Sequence, residues 1–148
     1  QFRGDILPYN GKDNLKNMVL LKFIMNKYRK AFITFDLDAK NDVEKTLLDL
    51  GLIEGDDYCP IGLNENGKLN IEGLVPSEIL TKVYSQNTSL VQCAMNGTTN
   101  KDKNSAKNQL KRLILEEFKI SAVLELEYFK HFYKLSNTIN KAFSKYNL

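Results

Sequence analysis

Residues 31–38 of the chain read Ala-Phe-Ile-Thr-Phe-Asp-Leu-Asp (AFITFDLD), and this stretch decides the fold. Its first five residues are a continuous apolar run, rich in β-branched and aromatic side chains. Such a run is typical of a strand that is buried on both faces of a parallel sheet. We therefore predict a strand over residues 31–35, with Asp36 and Asp38 following directly at its carboxyl end.

The segments on both sides of this strand alternate between helix and strand patterns. A helical stripe of apolar residues precedes it, and Asn41 and Asp42 are good caps for a helix that ends at Gly51. This alternation predicts right-handed βαβ crossovers, and hence an α/β fold with a mostly parallel sheet flanked by helices and with additional C-terminal helices. The predicted strands are residues 5–9, 31–35, 57–63 and 90–95, and the predicted helices are residues 15–28, 41–50, 77–84, 105–118 and 121–143.

Length and composition limit the class of protein. The 148 residues suit one domain, and the hydrophobic fraction of 43% and charged fraction of 26% are ordinary for a globular chain. No apolar run approaches the roughly 18 residues of a membrane span, and the N-terminal stretch has no signal-peptide pattern. Cys59 and Cys93 lie in unrelated contexts and indicate neither a disulfide framework nor a zinc cluster. We expect a cytoplasmic protein and, because it begins at Gln1 rather than methionine, a piece of a longer one.

The charge is unevenly distributed along the chain. The net charge of +3 combines a basic segment at residues 1–35, an acidic segment at residues 36–78 and a basic segment at residues 101–148. A metal-dependent enzyme that acts on phosphates would show such a pattern, because carboxylates hold hard cations while lysines meet the polyanion. The competing interpretation is that these charge runs are solvated faces.

The pair Asp36 and Asp38 is the strongest candidate for a functional site. Ligands of open α/β sheets bind beyond the carboxyl ends of the strands, where this pair lies. In an extended backbone, a spacing of two residues sends both side chains to the same side, with Leu37 turned away. Two neighbouring carboxylates repel each other, and Mg²⁺ relieves that repulsion when it is bound by one or two carboxylates plus waters and phosphates. For one aspartate alone, a helix cap or loop residue would be the simpler interpretation.

Two known families place such a pair at the end of a strand. The segment Phe35-Asp36-Leu37-Asp38-Ala39 resembles the DxDx[TV] motif that opens the haloacid-dehalogenase-like phosphatases, in which the first aspartate is the nucleophile. Lys40 stands where that motif has threonine or valine, and a strand and a helix precede the motif here. This resemblance implies a phosphatase that uses Asp36 as its nucleophile.

The resemblance to the Toprim domain of OLD-type nucleases extends over more of the chain, roughly residues 5–118. DILPYNGKDNL (residues 5–15) is similar to the strand and glycine turn before the DxD segment of those nucleases, and FITFDLDAK (residues 32–40) resembles their DxD strand. LGLIEGDDYCPIG (residues 50–62) is similar to the segment that follows. NIEGLVPSEI (residues 70–79) resembles their "xIEdLLPxEI" stretch.

This resemblance implies a metal site made of three acidic residues, with a lysine beside it. Asp36 and Asp38 would bind Mg²⁺ or Mn²⁺, and Glu72 would be a further acidic ligand or would support the ligands. Lys107, at the start of a predicted helix, would stabilise negative charge at the scissile phosphate, with Lys103 as the competing candidate. In such nucleases, two metals about 3.5–4 Å apart activate water and stabilise the leaving oxygen of an in-line phosphodiester displacement.

The same resemblance implies the setting of the domain. Residues 1–118 would form a Toprim-like nuclease domain and residues 119–148 a helical extension. DNA would be the substrate, and an upstream or separate ABC-type ATPase domain would control an endonuclease that serves in antiviral defence against phages. The apolar positions of residues 121–143 exceed one helical face, which suggests a surface for homo-oligomer formation.

Three functions remain open from the sequence. The first-motif glutamate of the Toprim family should precede the strand at residues 5–9, where this chain has no candidate. Glu54, in Ile53-Glu54-Gly55-Asp56, imitates that motif but follows the DxD segment, and we interpret it as part of a loop. The chain is therefore expected to be a metal-dependent nuclease, a dehalogenase-like phosphatase, or a Toprim-like module that has lost a ligand and serves in binding or assembly.

Overall fold

The computed structural model describes residues 6–9, 11–28, 30–122 and 126–145. These residues form two compact units. The first unit comprises the described residues up to Ile71 and those from Phe132 onward, and the second comprises Glu72–His131. The domain boundary predicted at residue 118 stays a prediction.

The described part of the chain is mostly helical, with one small sheet. It is of mixed α/β class, as the sequence predicts. Short 3₁₀ helices lie at Leu37–Ala39, Ile71–Leu74 and Leu126–Phe129. The two strands are β1 (Ile33–Asp36) and β2 (Tyr58–Ile61), and the α-helices are α1 (Lys12–Leu15), α2 (Met18–Lys27), α3 (Lys40–Asp49), α4 (Ser77–Gln86), α5 (Thr88–Asn96), α6 (Asn100–Ala122) and α7 (Lys130–Ser144).

The sheet of the first unit is a parallel pair formed by β1 and β2. Ile33 lies opposite Tyr58 and Asp36 opposite Ile61, and the amide of Ile33 donates to the carbonyl of Asp57 at 2.9 Å. Helix α3 connects the strands, as parallel strands require a crossover. The predicted strand–helix–strand arrangement is therefore confirmed for this part of the chain.

The core of the first unit forms where α3 covers the sheet. The aromatic rings of Phe35 and Tyr58 stack with their centroids 6.0 Å apart, and Val43 and Leu47 of α3 are completely buried. Val43 and Leu47 are four residues apart, so they lie on the same face of α3. The apolar run that predicted β1 thus supplies the centre of this core. Its buried side chains are Leu15, Leu21, Phe35, Ala39, Val43, Leu47, Leu52 and Tyr58.

A partly buried ion pair holds the beginning of β2. The ammonium of Lys30 lies 2.6 Å from Asp57 Oδ1, and the side chains are 9% and 24% exposed. The amide of Ile53 donates to Asp57 Oδ2 at 2.9 Å. Burial alone would raise the pKa of Asp57, but the hydrogen bonds from Lys30 and Ile53 and the charges of Lys30 and Lys145 lower it.

The substitution Asp57→Ala should lower the free energy of unfolding by about 2–3 kcal/mol. Losing one partner of a fully buried pair costs about 3–5 kcal/mol, and the remaining exposure of Asp57 reduces that cost. Because the folded pKa of Asp57 lies below its unfolded value of about 3.9, this stability is present above that pH and is lost as the pH falls through the folded pKa. Urea unfolding at about pH 7 and about pH 2.5 tests this. The difference between parent and variant should shrink at the lower pH, whereas Asp49→Ala, at an exposed position, should change stability by under about 0.5 kcal/mol at either pH.

The second unit is a helical assembly built on α6. Buried residues recur every fourth position along this helix, at Ala106, Leu110, Ile114 and Phe118. Helices α4 and α5 pack against α6. The hydroxyl of Thr99 accepts a hydrogen bond from the amide of Asp102 at 3.1 Å and donates to Asp102 Oδ2 at 2.7 Å. The Thr99 hydroxyl thus caps the amide of Asp102 and helps to fix the first turn of α6.

Two predicted strands are wrong. Residues 90–95 lie in α5, with Leu90, Val91 and Ala94 half-buried at helical spacing. A short apolar run does not distinguish a buried strand from a helix. Of the predicted strand at residues 5–9, residue 5 lies outside the described residues and Ile6–Tyr9 is not a strand. The carbonyl of Tyr9 instead accepts a hydrogen bond from the Asn14 side-chain amide.

The helix ends also differ from the prediction. The helix predicted at residues 15–28 is two helices, because Asn17 caps α2 by accepting hydrogen bonds from the amides of Val19 and Leu20. Helix α6 runs five residues further toward the N-terminus than predicted and continues to Ala122. Residues 123–125 of the predicted last helix lie outside the described residues. No helix in the described part of the chain is both long enough and apolar enough to cross a membrane.

Helix α7 turns its apolar side toward a groove of the first unit. This groove has a volume of about 670 Å³. Its walls include Phe132, Leu135, Ile139 and Phe143 of α7, together with residues of α2 and β1. These apolar side chains of α7 therefore line a groove within their own unit. The suggested homo-oligomer stays a prediction.

Candidate metal centre

Strand β1 places Asp36 at its carboxyl end, and the chain then turns sharply. Residues Leu37–Ala39 form a 3₁₀ helix, so the backbone at Asp38 is helical rather than extended. The extended backbone that we predicted to direct both carboxylates to one side is therefore not found at Asp38. The 3₁₀ turn forms because the buried Ala39 anchors the entry to α3, which starts at the next residue.

The two carboxylates nevertheless lie at one place. Both line an open depression of about 460 Å³. Asp38 is exposed and Asp36 is partly buried, so both can be reached from solvent. The predicted juxtaposition of Asp36 and Asp38 is thus found, although the turn rather than a strand produces it. The remaining lining residues are Pro8, Tyr9, Gly11, Lys12 and Ala39.

The depression has a negative electrostatic character. Burial raises the pKa of the Tyr9 phenol, and the charge of Asp36 raises it further. Lys12, the cation in the described part of its wall, forms an ion pair with Asp42 of α3. That hydrogen bond raises the pKa of Lys12 and lowers the pKa of Asp42. Lys12 interacts chiefly with Asp42 and also with the charge of Asp38, so the two carboxylates of the depression lie beside a cation that is engaged mainly with α3.

A distant segment of the chain supports this pair. The amide of Ile71 donates to Asp36 Oδ1 at 3.3 Å, and the amide of Asp38 donates to the carbonyl of Leu69 at 3.1 Å. These bonds orient the Asp36 carboxylate and fix the turn that carries Asp38. We call residues 69–71 the supporting segment.

Gly62 makes room for the supporting segment at the end of β2. A Cβ at this position would lie 2.7 Å from the carbonyl carbon of Leu69 and 2.9 Å from the nitrogen of Asn70. Its φ of +142° also disfavours any side chain. Sequence analysis did not select Gly62, although a glycine directly after an apolar strand pattern is a signal for close backbone approach. Tyr9 and Lys12 were not singled out either, although both lie in the segment DILPYNGKDNL (residues 5–15).

The oxygen donors at the depression fit a hydrated hard cation. Mg²⁺ binds to one or two carboxylates and keeps several waters, and Asp36 and Asp38 supply such a set beside open solvent. Within neither unit do the described residues bring together three His, Cys, Asp or Glu side chains that could hold a metal ion. A cation here would therefore depend on water or substrate oxygens to complete its coordination.

Glu72 belongs to the second unit, where it is engaged with α6. Its side chain is 14% exposed, and the ammonium of Lys111 lies 2.7 Å from Glu72 Oε1. Glu72 Oε2 is buried and has no hydrogen-bond partner among the described residues. Burial raises the pKa of Tyr84, and the charge of Glu72 raises it further. The sequence did not indicate that Lys111 pairs with Glu72.

Lys107 also belongs to the second unit, but not at the start of a helix as predicted. Helix α6 starts at Asn100, so Lys107 lies in its third turn and is exposed. The predicted start at residue 105 overlooked Thr99 and Asp102, which cap the true first turn. Lys107 therefore lies beyond the first turn, where the Thr99 hydroxyl accepts a hydrogen bond from the amide of Asp102. Lys103 lies one turn earlier on the same helix and is partly buried.

Glu54 lies between α3 and β2, outside both elements as expected from the sequence, and forms an isolated parallel β-bridge with Tyr58. The amide of Gly55 donates to the carbonyl of Tyr58 at 2.8 Å, which closes the turn before β2. Glu54 Oε2 accepts a hydrogen bond from Lys40 at 2.8 Å. Lys40 Nζ also lies 3.4 Å from Glu44 Oε1. The Lys40 ammonium therefore interacts with two carboxylates, that of Glu44 in α3 and that of Glu54.

Comparison with known proteins found no matching family model, no similar curated protein and no similar solved structure.

Proposed function

We propose that the chain is a Toprim-like, divalent-metal-dependent DNA endonuclease domain of the OLD type. The observation that carries the proposal is the placement of Asp36 at the carboxyl end of the parallel strand β1 and of Asp38 in the turn that follows, where both line one open depression. The motif resemblance over residues 5–118 supports the same function. The phosphatase that uses Asp36 as its nucleophile and the incomplete binding module are the alternatives that the experiments below distinguish.

In this proposal the chain's own residues hold and orient the reacting groups. Asp36 and Asp38 hold Mg²⁺ or Mn²⁺, and the amide of Ile71 keeps the Asp36 carboxylate in place. A bound divalent cation supplies Lewis acidity that activates water and stabilises the leaving oxygen of a phosphodiester. Glu72 is proposed as a further acidic group, and Lys107 or Lys103 as the group that balances negative charge on the phosphate.

The proposal includes the setting that the resemblance implies. DNA is the substrate, and an ABC-type ATPase domain, upstream or separate, controls the cleavage. The protein acts in the cytoplasm in defence against phages.

A titration with Mn²⁺ tests the metal centre directly. Paramagnetic broadening of NMR signals should be selective for Asp36, Asp38 and their neighbours Tyr9 and Gly11, because Mn²⁺ broadens only nearby nuclei. The double variant Asp36→Asn/Asp38→Asn should abolish this selectivity, since both charged ligands are lost. A response of Glu72 in the parent would support its role as a further ligand. If no signal near Asp36 responds at millimolar Mn²⁺, the chain holds no metal centre and the binding module becomes the better account.

The nature of the reaction is tested with two substrates and one analogue. The nuclease should cut DNA in the presence of Mg²⁺ or Mn²⁺ and should stop in EDTA. A dehalogenase-like phosphatase should instead hydrolyse small phosphate esters and bind beryllofluoride at Asp36 as an aspartyl-phosphate analogue. Hydrolysis of phosphate esters without DNA cleavage would overturn the nuclease proposal in favour of the phosphatase.

A further inference from the structure

One face of α6 carries an unbroken stripe of exposed residues along most of the helix. The stripe residues follow one another at intervals of three or four, which places them on a single helical face. All six are exposed, and the buried residues Ala106, Leu110, Ile114 and Phe118 occupy another face. We call the following residues the α6 stripe: Lys101, Asn104, Asn108, Arg112, Leu115 and Lys119.

The α6 stripe is basic and amide-rich, and it contains no acidic residue. Lys101, Arg112 and Lys119 form no ion pair with any other residue that the structure describes. Two of the three acids of α6 are occupied elsewhere, since Asp102 is bonded to Thr99 and Glu117 to Lys82. The third, Glu116, is exposed and borders the stripe beside Arg112.

We propose that the α6 stripe binds the phosphate backbone of a nucleic-acid duplex. Lysine and arginine contact phosphate oxygens as cations, and asparagine amides donate hydrogen bonds to phosphate and sugar oxygens. At 1.5 Å per residue, the three cations extend over about 27 Å of the helix, which corresponds to about eight base-pair steps of 3.4 Å. Contacts to phosphate and sugar carry no sequence information, so we expect the stripe to bind duplexes of different sequence alike.

The composition of the stripe favours a nucleic acid over a membrane. Helices that lie on membranes combine a basic face with a large apolar face of tryptophan, phenylalanine and leucine. Leu115 is the single apolar residue of the stripe. Binding of a polyanion by the α6 stripe is a separate function from hydrolysis at the metal centre, because the stripe can bind the duplex whether or not the chain cleaves it.

Fluorescence anisotropy with a fluorescein-labelled 20-base-pair duplex in EDTA tests the proposal. The variant Lys101→Gln/Arg112→Gln/Lys119→Gln should weaken binding by at least about 30-fold at about 100 mM salt, because three phosphate contacts are lost. The slope of log K against log salt should become shallower by about 2–3 for the same reason. Glutamine is a good helix former, so α6 should be retained, as circular dichroism would verify.

A matched control separates the stripe from net charge. The variant Lys22→Gln/Lys45→Gln/Lys134→Gln removes the same charge at three exposed lysines outside α6 and should weaken binding by less than about threefold. Equal losses in the two variants, or full binding by the stripe variant, would overturn the proposal. The charge-retaining variant Lys101→Arg/Arg112→Lys/Lys119→Arg should bind like the parent.

Two further measurements separate the duplex from a membrane and the α6 stripe from the metal centre. Co-sedimentation with vesicles of phosphatidylserine and phosphatidylcholine tests the membrane, and stripe-dependent binding to these vesicles without binding to the duplex would overturn the proposal. Stripe-dependent binding of the duplex should persist in EDTA, which removes divalent cations from the metal centre. Failure of DNA cleavage with intact stripe-dependent binding would count against the nuclease, and cleavage that is insensitive to the stripe would count against this surface.

Discussion

Asp36→Asn is expected to lower Mn²⁺-dependent DNA cleavage by at least about 100-fold. Loss of a group that only orients a metal ligand costs about 10–100-fold, and loss of the charged ligand itself should reach or exceed the upper end. Asparagine keeps an oxygen that accepts the hydrogen bond from the Ile71 amide, so the fold should be retained while the charge is removed. Initial rates with a plasmid substrate at saturating Mn²⁺ measure the effect.

The matched control for this substitution is Asp49→Asn. Asp49 is an exposed aspartate at the end of α3, away from the depression, and its variant should cleave at the parental rate. The titration of Tyr9 provides a readout of the local charge. Its pKa should fall partway toward its ordinary value in Asp36→Asn, since the effect of Asp36 is lost while the larger effect, burial, remains. If Asp36→Asn cleaves DNA at the parental rate, Asp36 takes no part in the cleavage reaction.

Gly62→Ala is expected to lower the free energy of unfolding by about 2–5 kcal/mol. The new Cβ would overlap backbone atoms of the supporting segment, and backbone cannot move aside as a flexible side chain does. The positive φ of Gly62 adds strain. Because the supporting segment carries Leu69 and Ile71, its displacement should also weaken the Mn²⁺ response of Asp36 and Asp38.

Gly67→Ala is a control that has the strain of a positive φ without the overlap of a new Cβ with backbone atoms. Gly67 has a φ of +76°, and a Cβ there would meet nothing within 4 Å. Its variant should lose only about 1–2 kcal/mol and should keep the parental Mn²⁺ response. Urea unfolding and the Mn²⁺ titration should be performed on the same preparations. Equal effects of the two substitutions would show that close approach at Gly62 does not support the metal centre.

Sequence patterns predicted the part of the fold that local side-chain chemistry determines. The strand at β1, its parallel partner β2 and the intervening α3 were found because their apolar runs and caps are continuous in sequence. The strand predicted at residues 90–95 failed because a run of that length fits a helix equally well. The start of α6 was misplaced because Thr99 and Asp102 cap a turn that is otherwise polar and resembles a loop.

The charged residues of the candidate site could be predicted from the sequence, but the hydrogen bonds that the supporting segment makes with them could not. Asp36 and Asp38 follow a recognisable strand, so their shared location could be inferred even though the local backbone is a 3₁₀ turn rather than a strand. The hydrogen bond from Ile71 joins residues 35 positions apart, and no local pattern records such a contact. Glu72 and Lys107 were selected by resemblance alone, and the pairing of Glu72 with Lys111 shows that a motif position does not reveal its neighbours.

The supporting segment has a consequence for the order in which the first unit folds. The β1–α3–β2 part is contiguous in sequence and can form through contacts that close short loops. The bonds from residues 69–71 to the turn at Asp36 close a longer loop around that finished part. During synthesis the sheet can therefore assemble before Ile71 has left the ribosome, whereas the Asp36 carboxylate acquires its final orientation only afterwards. The acidic pair would thus mature after the β1–α3–β2 part, although α7 of the same unit is synthesised later still.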